Sequence, residues 1–195
     1  MVSISPLSGD VVDGAIPAEF PPPFNFKPLK GEITDVRIGA EQIIHNRIHA
    51  SMSLAKIAGI KYEEEFLNHL RGRYPQALIR PHIHFRDNGV YRTVIPDAIL
   101  IGFSRMLNTI VILEVKSQHM PEAWWQLMKL YRPVLQAGFQ NFNICCVEVV
   151  KRYDPQLRWP TEPAEHVLYE DLKCAVETPL ALGILKWRKP TTIRT

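Results

Sequence analysis

Three charged side chains interrupt two strongly apolar runs between residues 94 and 118, VIPDAILIGFSRMLNTIVILEVKSQ. Asp97 follows Pro96 in the first run, and Glu114 and Lys116 stand two apart at the end of the second. Strand side chains alternate faces, so Glu114 and Lys116 point the same way. A carboxylate or an ammonium is costly in apolar surroundings unless it is paired or bound to something. Two carboxylates converging there would make a site for a hard cation, and magnesium takes one or two carboxylates together with water and phosphate oxygens. The adjacent lysine would hold an attacking water or offset negative charge in the transition state. That is phosphodiester-cleaving chemistry. The plainer alternative is a half-buried Glu114–Lys116 ion pair with Asp97 in a turn, which leaves unexplained why all three charges break apolar runs.

The elements that must position these groups are legible in outline. Residues 34–58 read as a helix, with Thr34 as N-cap and Ile38, Ile43, Ile44, Ile48, Met52 and Leu54 on one face. Gly59 then breaks it, and a second helix starts near Lys61 and ends about Arg71-Gly72, before Pro75. Glu63 falls on the apolar face of that helix with Phe66, Leu67 and Leu70. A core-facing glutamate costs stability unless it is used, the alternative being a solvated acid at a helix start. Residues 76–86 read as one strand, with Arg80, His82, His84 and Arg86 on a basic face and Ile79, Ile83 and Phe85 on the other. Asp87-Asn88-Gly89 is a tight-turn signal, so residues 90–101 return antiparallel carrying Asp97, and residues 109–116 form the next strand. Pro121 opens a helix whose stripe is Trp124, Leu127, Met128, Tyr131 and Leu135, with Gln126 and Lys129 on another face and a kink at Pro133. Residues 143–150 read as a buried strand, 165–176 as a helix and 182–187 as a last strand. The histidine pairs His45/His49 and His82/His84 have metal-pair spacing but lack a third ligand nearby, so both read as solvated or packed.

Pro96-Asp97, sixteen residues, then Glu114-Val115-Lys116 resembles the signature of the PD-(D/E)XK nuclease superfamily. The run Gly59-x-x-x-Glu63-x-x-Phe66-Leu67-x-x-Leu70 is similar to the opening helix of archaeal-type Holliday junction resolvases, whose glutamate reaches the metal site. In the RecB-like branch a Gln-x-x-x-Tyr motif follows the Glu-x-Lys strand. Here Gln126 and Tyr131 are one residue further apart, which on a regular α-helix turns Tyr131 away by about a quarter-turn, so Gln126 is the residue the resemblance carries. The resemblance covers about residues 59–150 and implies an α/β, restriction-endonuclease-like core, αβββαβ, with a central mixed sheet flanked by helices. It further implies a metal-dependent deoxyribonuclease, endonuclease favoured. Asp97, Glu114 and the Val115 carbonyl would ligate Mg²⁺ (Mn²⁺ substituting), Lys116 would serve the attacking water, and Glu63 would hold the metal through water or a second ion. The alternative is a non-catalytic or partner-dependent DNA-binding or assembly protein on the same fold.

The chain has 195 residues, 46% apolar and 22% charged, the size and balance of one globular domain with appendages. A Pro/Phe-rich arm spans residues 1–33, the nuclease-like domain with its preceding helix 34–150, and a C-terminal extension 151–195 packs on the same domain. Phe20, Phe24 and Phe26 suggest an arm that lies across its own domain or a neighbouring subunit, a route to a homodimer. The +3 charge and pI near 8.8 permit a DNA partner. Residues 186–195 carry four basic side chains around Trp187, a candidate backbone-binding tail or a merely solvated end. Three cysteines without metal spacing, with no secretory leader, point to a reducing cytoplasm. No run is long and apolar enough to span a membrane.

Overall fold

The computed structural model describes residues 22–23, 26–41, 48–49, 51–102, 108–154 and 167–190. His45, Phe20, Phe24 and residues 155–166 and 191–195 lie outside them. Residues 33–41 are not helical. They form strand β1 (Ile33–Glu41), which pairs antiparallel with β3 (Pro81–Asp87). Two register shifts and a positive φ at Asp35 make β1 irregular. Ile38, expected on a helical face, instead packs with Ile33 and Val36 against the core, and the bulges break the strict alternation that marks a regular strand. Ser53 caps α1 (Leu54–Arg73), accepting from the Lys56 amide, and the helix runs straight through Gly59. A mid-helix glycine costs only about 1 kcal/mol, and the buried Ile60, Tyr62, Phe66, Leu67 and Leu70 outweigh it.

The expected strand at 76–86 is two strands in two sheets. β2 (Leu78–Ile79) and β3 are separated by Arg80, whose φ is +47°. Its return partner divides in the same way, into β4 (Val90–Val94) and β5 (Ala98–Ile101), so Asp97 lies in the connection rather than within a strand. The Asn88-Gly89 turn forms as expected, both residues at positive φ. The result is one long hairpin bent at Arg80 and Asp97, whose backbones are joined there by an Arg80 N–H to Asp97 C=O bond of 2.9 Å. Its tip joins β1 in a three-stranded sheet, and its base enters a six-stranded mixed sheet of order β2-β5-β6-β7-β9-β8. In that sheet β6 (Thr109–Gln118) pairs antiparallel with β5 and parallel with β7 (Asn143–Arg152); β9 (Leu182–Lys186) and β8 (Val167–Tyr169) continue it in parallel. The expected helix at 165–176 is instead β8 followed by α4 (Leu172–Glu177), capped by Asp171.

Helices cover both faces. α1 and α4 bury Leu113, Val115, Val147 and Leu185 on one. The other is covered by α2 (Pro121–Gln126), a π-helical turn (Leu127–Tyr131) and α3 (Arg132–Gly138), over Ile110, Ile112, Ile144 and Cys146. The molecule is thus α/β with a mixed central sheet between helices. No helix among the described residues is long and apolar enough to cross a membrane.

Candidate active site

The site is built where the long hairpin bends. Pro96 has no amide hydrogen to continue the β5–β6 ladder, and beyond Ala98 the Asp97 side chain takes over: its Oδ2 accepts from the Val115 amide at 2.7 Å. Continued by one residue, the ladder pairs of Ile99 with Ile112 and Ala98 with Leu113 set Asp97 opposite Glu114. Lys116 follows on the same face, and its Nζ donates to Glu114 Oε1 at 2.8 Å. Glu114 is buried and Lys116 half-buried.

The electrostatics report crowding of negative charge. Burial raises the Asp97 carboxyl well above the carboxylate range, with the charges of Glu114 and Glu63 adding to it against the Val115 amide and Lys116. Burial raises Glu114 too, although Lys116 opposes it. Burial alone would lower the Lys116 ammonium, but Glu114 and Asp97 more than compensate and it stays protonated. Glu114 Oε2 and Gln126 Oε1 are buried with no hydrogen bond of regular geometry among the described residues, although the Tyr131 hydroxyl lies within reach of the Glu114 carboxylate. Buried acceptors short of donors are what a cation would satisfy. Among the described residues no three His, Cys, Asp or Glu side chains form a ready metal cage. The donor set that fits is therefore two carboxylates supplemented by amide, backbone and water oxygens, the set magnesium accepts.

Glu63 is not a helix-start acid, since α1 begins nine residues earlier. It is buried on the helix's inner side, where Oε1 accepts from both Nε (3.3 Å) and Nη2 (2.8 Å) of Arg80. Arg80 is thereby removed from the basic strand face expected of it. The positive φ at the bend turns it toward α1. On the remaining face His82 and His84 pack edge to face, 5.7 Å apart, His84 shares a hydrogen bond with Thr93, and Arg86 pairs with Asp35 and stacks on Tyr91.

Tyr131 is the residue sequence reasoning placed wrongly. Pro133 lacks an amide hydrogen and would clash with the preceding turn of a regular α-helix. The chain answers with the π turn, closed by an Arg132 N–H to Leu127 C=O bond, which absorbs one extra residue. The added residue between Gln126 and Tyr131 thus does not carry the tyrosine off the site. Its hydroxyl donates to the Ile95 carbonyl at 3.4 Å, beside the bend, and burial, the charges of Glu114 and Asp97 and a hydrogen bond to the Glu114 carboxylate push the phenol well above its ordinary range. Gln126 shares a cleft of about 470 Å³ with Lys116, Glu122 and Arg92. The one available signal was Pro133 itself, four residues beyond Lys129 in an otherwise helical run.

The arm packs on the domain where it is described, and of the basic end Trp187 is buried while Arg188 and Lys189 are exposed. Phe26 packs on Trp125 with ring centroids 5.2 Å apart. Arg92 donates to the Lys27 and Pro28 carbonyls and pairs with Asp87, whose Oδ1 accepts from the Lys30 and Gly31 amides. Trp187 is a core residue against Tyr62 and Phe66, not part of a solvated tail. Cys145 and Cys146 are buried and unbridged. Comparison with models of protein families, with curated proteins and with solved structures finds no match in any of the three.

Proposed function

We propose that the chain is a metal-dependent nuclease hydrolysing DNA phosphodiesters, on a restriction-endonuclease-like core. The observation that carries this reading is the meeting of Asp97, Glu114 and Lys116 at the hairpin bend, with Glu114 Oε2 and Gln126 Oε1 buried and short of regular hydrogen bonds. The order α1, β2–β3, β4–β5, β6, helix, β7 supports it, being the αβββαβ order that the resemblance implies. Mg²⁺ or Mn²⁺ would be held by Asp97, Glu114 and the Val115 carbonyl, and when bound would polarise the phosphate and lower the pKa of a coordinated water. Lys116, protonated and tethered to Glu114, would orient the attacking water and offset charge growing on the phosphate. Glu63 keeps negative potential near the pair while Arg80 holds its orientation. Gln126 contributes an amide oxygen to the open side, and Tyr131 fixes the bend that presents Asp97. Unbridged cysteines suit a reducing compartment such as the cytoplasm.

A second reading, a DNA-binding or assembly protein without catalysis, draws on one specific observation. Lys116 already neutralises one Glu114 oxygen and Asp97 already caps the Val115 amide, as a purely structural pair would. The two separate in one experiment: Asp97→Ala and Lys116→Ala proteins, shown folded by circular dichroism, are assayed on DNA with Mg²⁺. The nuclease reading expects cleavage lost in both. Retained cleavage in either sinks the assignment, and DNA binding without cleavage by the unaltered protein selects the second reading.

A further inference from the structure

The cleft that exposes Lys116 has a wall made by the arm, and that wall bears on the substrate. Phe26 and Lys27 of the arm line it together with Arg92 of β4, Gln126 of α2 and Leu130. The arm is fastened at both ends of this stretch. Phe26 leans on Trp125, while the Arg92 guanidinium binds two successive carbonyls, Nη2 to Lys27 at 2.8 Å and Nη1 to Pro28 at 3.0 Å. Arg92 is itself held by Asp87, a buried carboxylate that also takes the Lys30 and Gly31 amides at 2.8 and 3.1 Å. A wall tied by this many bonds is part of the site's shape.

We propose that this cleft takes a single strand of nucleic acid, an unpaired segment or a frayed end, and not an intact duplex. The inference rests on the phosphodiester-cleaving reading of the site and adds the substrate's strandedness to it. Its volume, about 470 Å³, is that of a small-molecule site and admits a nucleotide or two, whereas a duplex would have to displace the arm to bring a phosphate to Lys116. The exposed Lys27 faces the acid Glu122, while Arg92 and Lys116, already paired with Asp87 and Glu114, offer hydrogen-bond donors rather than net charge. An aromatic ring beside such donors is also how proteins hold single strands, bases stacking while the donors meet phosphates.

The test measures binding and cutting separately. A short labelled single strand and the blunt duplex of the same sequence are titrated by fluorescence anisotropy in EDTA, then incubated with Mg²⁺. The proposal expects the single strand to bind about tenfold or more tightly than the duplex. Phe26→Ala should weaken single-strand binding by about tenfold with duplex binding unchanged, and Phe26→Trp should restore it. Equal binding and equal cutting of both substrates, with cutting lost in Glu114→Ala, would overturn the inference and leave the nuclease reading standing. Single-strand preference dependent on Phe26 with no cutting would do the reverse. Binding of neither substrate by folded protein overturns both.

Discussion

Glu114 and Glu148 are neighbours in the same register on adjacent parallel strands, and they meet opposite fates. Glu148 is fully buried and both its oxygens are used: Oε1 accepts from the Met120 amide at 2.9 Å, and Oε2 meets the imidazole Nδ1 of the buried His119 at 2.5 Å. Glu114 has one oxygen on Lys116 and the other without a bond of regular geometry, with burial and the charges of Glu63 and Glu148 raising its carboxyl. Asp87, at the tip of the same hairpin that bears Asp97, repeats the first pattern. Burial would raise its pKa, but the Lys30 amide, Arg92 and the Gly31 amide hold it below the ordinary carboxylate range. A carboxylate built in for stability is surrounded by donors from its own chain. On the proposed reading Glu114 is left short of them so that a cation can complete it.

The sharpest separation is between the two glutamates. Glu114→Ala should lower metal-dependent cleavage by about a thousandfold or more, whereas Glu148→Ala, by stranding a buried partner, should cost about 3–5 kcal/mol of stability. Cleavage rates and denaturant melts on both proteins check this, and a melt in which Glu114→Ala is the worse destabilised would break the distinction. Asp87→Asn should cost about 2–3 kcal/mol by weakening charge-assisted bonds, against less than about 1 kcal/mol for Glu114→Gln in metal-free protein, where a crowded charge is removed. Tyr131→Phe should reduce cleavage by about tenfold with the melt little changed, since a single hydrogen bond at the bend is lost.

Acid dependence should run in opposite senses at the two places. Asp87, with its pKa depressed, contributes stability above the ordinary carboxylate range that is lost as pH falls through the depressed value. Asp97 and Glu114, with pKa values raised, bind protons more tightly folded than unfolded. Metal-free stability should therefore decline as pH rises from about 4 through the raised values. Denaturant melts across that window, repeated on Glu114→Gln, should show the decline flattened in the variant. A decline of unchanged slope would contradict the shared negative charge.

Asp97, Glu114 and Lys116 could be read from the sequence because charge inside an apolar run is a local anomaly, and so could the Asn88-Gly89 turn, where residue type dictates backbone sign. The strands β6, β7 and β9 were legible because sustained β-branched runs leave little choice. What failed depended on partners far along the chain. β1 looked helical because its bulges answer to β3, and Gly59 sits within α1 because packing on the sheet outweighs its propensity. The bend that splits two expected strands is set by Arg80 reaching Glu63 and Asp97. The Asp87–Arg92 clasp joins residues more than fifty positions from the arm they hold, and no local pattern announces it. The π turn was signalled only by Pro133, whose effect was read as a kink.

The most direct measurement of whether Glu114 is kept for a cation is Mn²⁺ binding, followed by electron paramagnetic resonance on the unaltered protein, Glu114→Gln and Glu148→Gln at neutral pH. The account predicts bound Mn²⁺ in the unaltered protein and in folded Glu148→Gln, and its loss in Glu114→Gln. Equal Mn²⁺ binding with and without the Glu114 carboxylate, or none in folded unaltered protein, would contradict it.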